Sequence, residues 1–418
     1  MATVKAFRGM RYQNQQQLDK LVTPPYDIIS PKQQEQLYNK HENNIIRLEY
    51  GKEFPEDQEK DNKYTRAGAY LHKWLEEGVL QIEDKPCFYV YEEEFGLPDG
   101  SRKKIRGLVC RVKLQEFSEN VVLPHEETLS KAKTDRLCLM EATQSNFSQI
   151  YSLYVDKERR IPQLIDQALG EKTVSFVDED GITQSLWIIC DDDAIAEIEK
   201  AFENKQLFIA DGHHRYETAL NYKKAHPDNP EAGYVMMFLI DLDNDGLVVF
   251  PTHRMVQNVE GFDGAQLAQS LKDCFDVEAV ERPDAALIEN SPMPAFLFYA
   301  GKNSCWKLTL RDWTGMEKAF PGHSKAYQQL DVNVLHTLVL ERLGIDAKNM
   351  AMQKNLVYTR SLEEAVEKVD DGQFQCSFLL NATRVDQIKD VSLAGEKMPQ
   401  KSTYFYPKLK TGLVMNHF

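Results

Sequence analysis

The sequence has no Cys-x-x-Cys pair, no internal repeat, no low-complexity linker, and no run of about eighteen apolar residues of the kind a membrane-spanning helix needs. Its seven cysteines, Cys87, Cys110, Cys138, Cys190, Cys274, Cys305 and Cys376, are odd in number and scattered. That pattern predicts reduced thiols in a cytoplasmic protein. The opening segment MATVKAFRGMRYQNQQQ lacks the apolar stretch of a secretion signal, which points the same way. Positive charge is also scarce: 50 Lys and Arg stand against 65 Asp and Glu, a formal charge of -15. A surface of that sign repels nucleic-acid backbones and anionic membranes. The expected partners are therefore small molecules, with no nucleic acid and no membrane.

At 418 residues the chain is too long for one ordinary core, which predicts two or three packed units. Helical and strand patterns alternate, so the expected class is α/β (α+β). In TPPYDIISPKQQEQLYNKH, Pro24 and Pro25 force an extended entry, and Ser30-Pro31 opens a helix. AGAYLHKWLEEGVL reads as a helix ending near Gly78. CFYVYEEEFGLPDGSRKKIRGLVCRVKL reads as a hairpin about Leu-Pro-Asp-Gly, with its glutamates on a solvated face. A strand, polar loop, helix and strand follow in NVVLPHEETLSKAKTDRLCLMEATQSNFSQIYSLYV. RIPQLIDQAL and DDDAIAEIEKAF are amphipathic helices flanking the strand SLWIIC. YVMMFLIDLDNDGLVVFPTHRMV reads as two strands hinged at Asn244-Asp245-Gly246. That turn begins like a calcium loop, but Thr252 stands where a bidentate Glu is needed. The expected units are residues 1–115, 116–260 and 261–418.

The most informative stretch is FIADGHHRYETAL. The strand QLFIA runs into Asp211-Gly212, and Tyr216, Ala219, Leu220 and Lys223 then recur at helical spacing. Such a turn exposes the first N–H groups of a helix at the positive end of its dipole, a natural anion site. Gly212 lets a ligand approach the backbone, His213 and His214 offer ring N–H donors, and Arg215 can hold a phosphate through two parallel bonds. Asp211 would repel that phosphate unless it caps the helix, binds a metal or moves a proton. A magnesium-bound nucleotide reconciles these features, with Asp211 as the metal ligand. The competing metal-hydrolase reading takes Asp211, His213, His214 and His125 or His253 as ligands. Adjacent helical histidines project about 100° apart and rarely share one ion, so phosphate cradling suits them better.

Gly212, His214, Arg215, Tyr216 and Ala219 within DGHHRYETA resemble the signature turn of the ParB/sulfiredoxin superfamily. Sulfiredoxins carry a cysteine where His213 stands, whereas the superfamily's free serine kinases carry an Asp-Gly-His turn. LPHEET, residues 123–128, is similar to the segment that supplies the catalytic carboxylate in those kinases. Over its length, including TPPYD, FPTHR and MPQKSTYFYPK, the chain resembles the bacterial and archaeal family catalogued as domain of unknown function 1015. The resemblance implies a ParB/sulfiredoxin-like central unit flanked by mixed amino- and carboxy-terminal units. It also implies transfer of a phosphoryl group from ATP or ADP, with magnesium, to free L-serine. A nucleotide-binding regulator like the CTP-binding ParB relatives is the alternative.

For that chemistry a hydroxyl needs a carboxylate to orient it and accept its proton. Glu126 and Glu127 are the candidates. Neighbours on an extended loop point oppositely, so one faces the site, and Glu126 is preferred. His125 is placed to touch substrate or phosphate. In FPTHR, strand alternation puts Thr252 and Arg254 on one face and His253 on the other; all three are candidate substrate contacts. In the tail, Lys401 or Lys408 is a candidate to complete a nucleotide or carboxylate pocket.

Overall fold

The chain forms two compact units. The larger comprises Met1–Pro124, Thr128–Val248 and Pro407–Phe418, and the smaller comprises His125–Glu127 and Val249–Tyr406. The computed structural model describes residues 1–128, 130–346, 349 and 354–418. The largest sheet mixes parallel and antiparallel pairs and helices are plentiful, so the expected α+β class holds. Among the described residues no helix is long and apolar enough to cross a membrane.

In the larger unit nine strands form one sheet: β1 (Val4–Lys5), β2 (Phe88–Gly96), β3 (Arg102–Lys113), β4 (Val122–Leu123), β5 (Ile150–Tyr154), β6 (Val174–Val177), β7 (Thr183–Ile189), β8 (Leu207–Asp211) and β9 (Tyr234–Asp241). Their order is β4-β8-β5-β9-β3-β2-β7-β6, with β1 also against β3. β4–β8 and β5–β9 are parallel pairs, and the rest are antiparallel. This order removes the expected boundary near residue 115. Strands from the amino-terminal segment, β2 and β3, hydrogen-bond directly to β7 and β9 of the segment expected to stand apart.

The helices of this unit begin where the sequence supplies caps. α1 (Pro31–Lys40) has a capping box in which Ser30 Oγ accepts from the Gln33 N–H and Gln33 Oε1 accepts from the Ser30 N–H. α2 (Lys63–Glu76) is capped by Asn62 and followed by Gly78 at φ 70°. α3 (Ser130–Thr143) follows the LPHEET segment. α4 (Arg160–Ala168) buries Ile161 and Ile165, and α5 (Asp192–Phe202), capped by Asp191, buries Ile198, Ala201 and Phe202. Each large apolar side chain so buried contributes about 1.5–3 kcal/mol. α6 (His213–Ala225) follows β8.

Three expectations fail in this unit. The β2–β3 hairpin is present, with Gly96 opposite Arg102, but its glutamates do not all face solvent. Glu93 is fully buried and accepts from the Tyr91 hydroxyl at 2.9 Å, and burial pushes its carboxyl up to about 7. Asn244-Asp245-Gly246 turns the chain, but β9 has no hairpin partner after it: both its edges are already taken by β3 and β5. Cys87 and Cys190 form a disulfide with Cα atoms 4.5 Å apart. Antiparallel pairing of β7 with β2 puts Ile189 opposite Phe88, so the residues just past those ends meet despite a separation of 103.

In the smaller unit six antiparallel strands, β10 (His253–Val256), β11 (Phe275–Ala279), β12 (Ala295–Tyr299), β13 (Cys305–Leu310), β14 (Leu356–Thr359) and β15 (Cys376–Leu380), take the order β11-β13-β12-β15-β10-β14. One face packs Phe275, Phe296, Phe298 and Phe378 with Val334, Leu335 and Leu338 of α7 (Asp331–Leu338). The other packs Met255, Leu297 and Leu379 with Ala365 of α8 (Leu362–Asp370).

Candidate functional site

The residues singled out by the sequence fall into two groups, one in each unit. In the larger unit β8 ends at Asp211, just past a register shift against β5 between Ile209 and Asp211. Irregularities of this kind re-aim the side chains beside them. Gly212 then turns the chain at φ 96° and ψ 28°, where a side chain is disfavoured. A Cβ there would also stand 2.8 Å from the Arg215 guanidinium. Gly212, not Asp211, occupies the cap position, so the first N–H groups of α6 receive no side-chain cap.

Asp211 is an ion-pair centre. Its Oδ2 accepts from Arg215 Nη2 at 2.9 Å, and its Oδ1 is paired with Lys408 Nζ. Burial acts to raise its pKa, but Lys408 and Arg215, with His213 nearby, outweigh burial and hold the carboxyl well below the usual range. Arg215 Nη1 also donates to the Gln149 carbonyl at 2.6 Å. The guanidinium fork that the sequence left open for phosphate is thus engaged within the protein. Arg215 and Lys408 both face Asp211, beside the positive end of α6. His213 is buried and His214 half-buried. Tyr216 anchors the helix by donating to the Gln115 carbonyl at 2.8 Å.

Three further residues, Glu49, Arg136 and Ser148, join this group without a signal in the sequence strong enough to select them. Glu49, 3 % exposed, accepts from Ser148 Oγ at 2.9 Å. Burial raises its pKa against the pull of Arg136 and Arg215. Arg136 donates to the Glu49 carbonyl at 2.8 Å and lies 4.0 Å from the ring centroid of Tyr26, the tyrosine of TPPYD. Glu49, Arg136, Ser148 and Arg215 line a small cavity of about 40 Å³.

In the smaller unit the HEE segment, FPTHR and the tail come together. His125 is fully buried, its Nε2 3.0 Å from Thr403 Oγ1, and its carbonyl accepts from the Met398 N–H at 2.7 Å. Glu126 is half-buried with Tyr358 as an electrostatic neighbour, whereas Glu127 is exposed and neighbours Tyr327. The two carboxylates therefore diverge, as an extended segment requires. Arg254 is 1 % exposed, with its guanidinium carbon 5.5 Å from the Tyr358 ring centroid. Nη1 is bonded to the Thr252 carbonyl and Nη2 to the Lys401 carbonyl at 3.4 Å, while Nε has no partner. No carboxylate pairs with it among the described residues, and burial lowers its pKa to about 10.

His253 accepts the Leu380 N–H at Nδ1, 3.3 Å away. Burial, then Arg254, lowers its pKa to about 4, so the ring is neutral and committed to β15. Lys401 has φ 61° and contributes its carbonyl while its side chain is exposed. His336 of α7, which the sequence did not flag, is 6 % exposed with both ring nitrogens unpartnered. Burial, then Arg254, holds its pKa well below the usual value.

The donor set does not fit a metal ion held by Asp211. Both of its oxygens accept from cations, and among the described residues no three His, Cys, Asp or Glu side chains are grouped to hold one.

Residues 4–333 match the family described as protein of unknown function (DUF1015), and the chain belongs to that family. No curated protein matches it. Among solved structures it is similar to a free serine kinase in complex with AMP, at 15 % identity and a TM-score of 0.37, over 72 % of this chain and 90 % of that one. A mutant free serine kinase in complex with ADP matches at 14 % and 0.38 over the same shares. SbnI with a carboxy-terminal truncation, from Staphylococcus aureus, matches at 11 % and 0.35, over 72 % of this chain and 85 % of that one.

Proposed function

We propose that this protein is a cytoplasmic phosphotransferase that moves a phosphoryl group from an adenine nucleotide, ATP or ADP, to the hydroxyl of free L-serine, giving O-phosphoserine. The observation that carries this reading is Arg254. A guanidinium 1 % exposed and without a carboxylate partner among the described residues is costly unless a ligand completes it. The carboxylate of a small amino acid has the matching charge and forked geometry. Unpartnered His336 and the Glu126 carboxylate belong to the same unit.

In this reaction the serine oxygen forms the new bond to phosphorus, the bond to the nucleotide's leaving oxygen breaks, and Glu126 takes the hydroxyl proton. In the larger unit the uncapped N–H groups of α6, at the positive end of its dipole, favour nucleotide phosphates. Gly212 keeps the backbone approachable, and His213 and His214 border the same turn. Asp211 orients the two cations rather than moving a proton, because they hold it ionised. Magnesium enters only as the nucleotide's own counter-ion. The resemblance of DGHHRYETA to the ParB/sulfiredoxin turn supports the donor half, and that of LPHEET to the kinase segment supports Glu126. The test is a screen of the full chain with ATP or ADP against each amino acid, with detection of phosphorylated product. L-Serine should yield phosphoserine; no phosphorylated amino acid with either nucleotide would refute the reading.

A further inference from the structure

A second cavity lies in the larger unit, away from the Asp211 turn. Asp211 pairs with Tyr151 near the start of β5, whereas this cavity lies at the other end of the strand, at Tyr154 and its partner Asp241 on β9. Its volume is about 270 Å³, near the lower end of the range for small-ligand pockets. β3 contributes Lys104 and Arg106, Arg159 stands at the N-cap of α4, and Asp166 lies in the last turn of that helix.

Two of the lining side chains lack an ion-pair partner among the described residues. Asp241 is 4 % exposed; its Oδ1 accepts weakly from the Asp243 N–H at 3.3 Å, and its Oδ2 has no partner. The charged groups that act most on it are the carboxylates Asp243 and Asp156, and its Oδ2 is met by no cation among the described residues. Arg159 has no side-chain hydrogen bond or ion pair among the described residues and is exposed. The other cations are already engaged. Arg106 is bonded to Glu92 at 2.6 Å and Asp166 at 2.9 Å, and Lys104 pairs with Glu92 at 3.5 Å and Glu94 at 3.8 Å. One buried acceptor and one unpaired guanidinium on the wall of one cavity call for a ligand that carries a donor cation and an anion together.

We infer that this cavity binds a small zwitterion of amino-acid size, its ammonium on Asp241 and its carboxylate on Arg159. This second site does not depend on the kinase reading. The test is titration calorimetry of glycine, L-serine and L-aspartate on the full chain and on R254M, in which the acceptor position proposed above is disabled. At least one zwitterion should bind R254M, and Asp241→Asn or Arg159→Ala in that background should weaken binding at least tenfold. Propylammonium and propionate, each with half the chemistry, should bind at least tenfold more weakly than the zwitterion. Absence of zwitterion binding to R254M, or binding indifferent to both substitutions, would overturn the inference. If Asp241→Asn does not fold, Arg159→Ala at its exposed position decides alone.

Discussion

Glu126 and Glu127 are adjacent in sequence but not equivalent in environment. Only Glu126 shares Tyr358 with Arg254. Glu126→Gln keeps the shape and removes the proton acceptor, so kcat for serine phosphorylation should fall by about a hundredfold or more with nucleotide affinity near normal. Glu127→Gln should leave kcat within a few-fold, and steady-state kinetics of both variants check the assignment. Arg254 gives a second comparison. Arg254→Met removes the desolvation cost of a buried cation that no carboxylate offsets among the described residues, so it should hold or raise the melting temperature. Its KM for the acceptor should nevertheless rise tenfold or more, the loss of a charge-assisted pair worth about 1.5–3 kcal/mol. A destabilised Arg254→Met protein with unchanged KM would make Arg254 a packing residue.

At the scale of elements, β2 carries a carboxyl that ties stability to pH. The folded state pushes Glu93 from 4.5 up to about 7. The folded protein thus binds the proton more tightly than the unfolded chain, so this group's contribution is complete below pH 4.5 and declines as pH rises through 7. Glu93→Gln cannot ionise and should remove that decline, gaining roughly 2–3 kcal/mol at pH 8 relative to pH 4.5; denaturant unfolding at the two pH values measures it. The register of β7 against β2 has its own consequence. With Cys87 and Cys190 joined, unreduced protein in denaturant should titrate five thiols of the seven cysteines. A count of seven would show that the two sulfurs stay apart in solution.

For the molecule as a whole, the two units separate the proposed donor and acceptor contacts along the chain. Hydrogen exchange with an added adenine nucleotide should slow amides of Leu207–Ala225, and added L-serine should slow those of His253–Val256. Protection of the second segment by nucleotide alone would reverse the assignment of the halves. The excess of acidic over basic residues also bears on nucleotide capture, since the net field of the chain opposes an anion. Nucleotide binding then depends on the local dipole of α6 and its uncapped N–H groups, and added salt should weaken it only modestly.

Periodicity and capping are local properties, and the sequence alone determined what depends on them. The capping box at Ser30, the strand–turn–helix at Asp211-Gly212 and the β2–β3 hairpin were all legible because their partners lie within a few residues. The opposite outlook of Glu126 and Glu127 followed from the geometry of extended backbone. Pairings between distant segments were not legible. The sheet joining β2 and β3 to β7 and β9 merges two expected units, and it also brings Cys87 to Cys190, buries Glu93 and leaves no edge for a hairpin after β9. Lys408 reaching Asp211 across 197 positions, and Arg254 buried without an acid, depend on which strands share a sheet. That choice is made by long-range packing, in which hydrophobic burial selects partners that no nearby residue encodes.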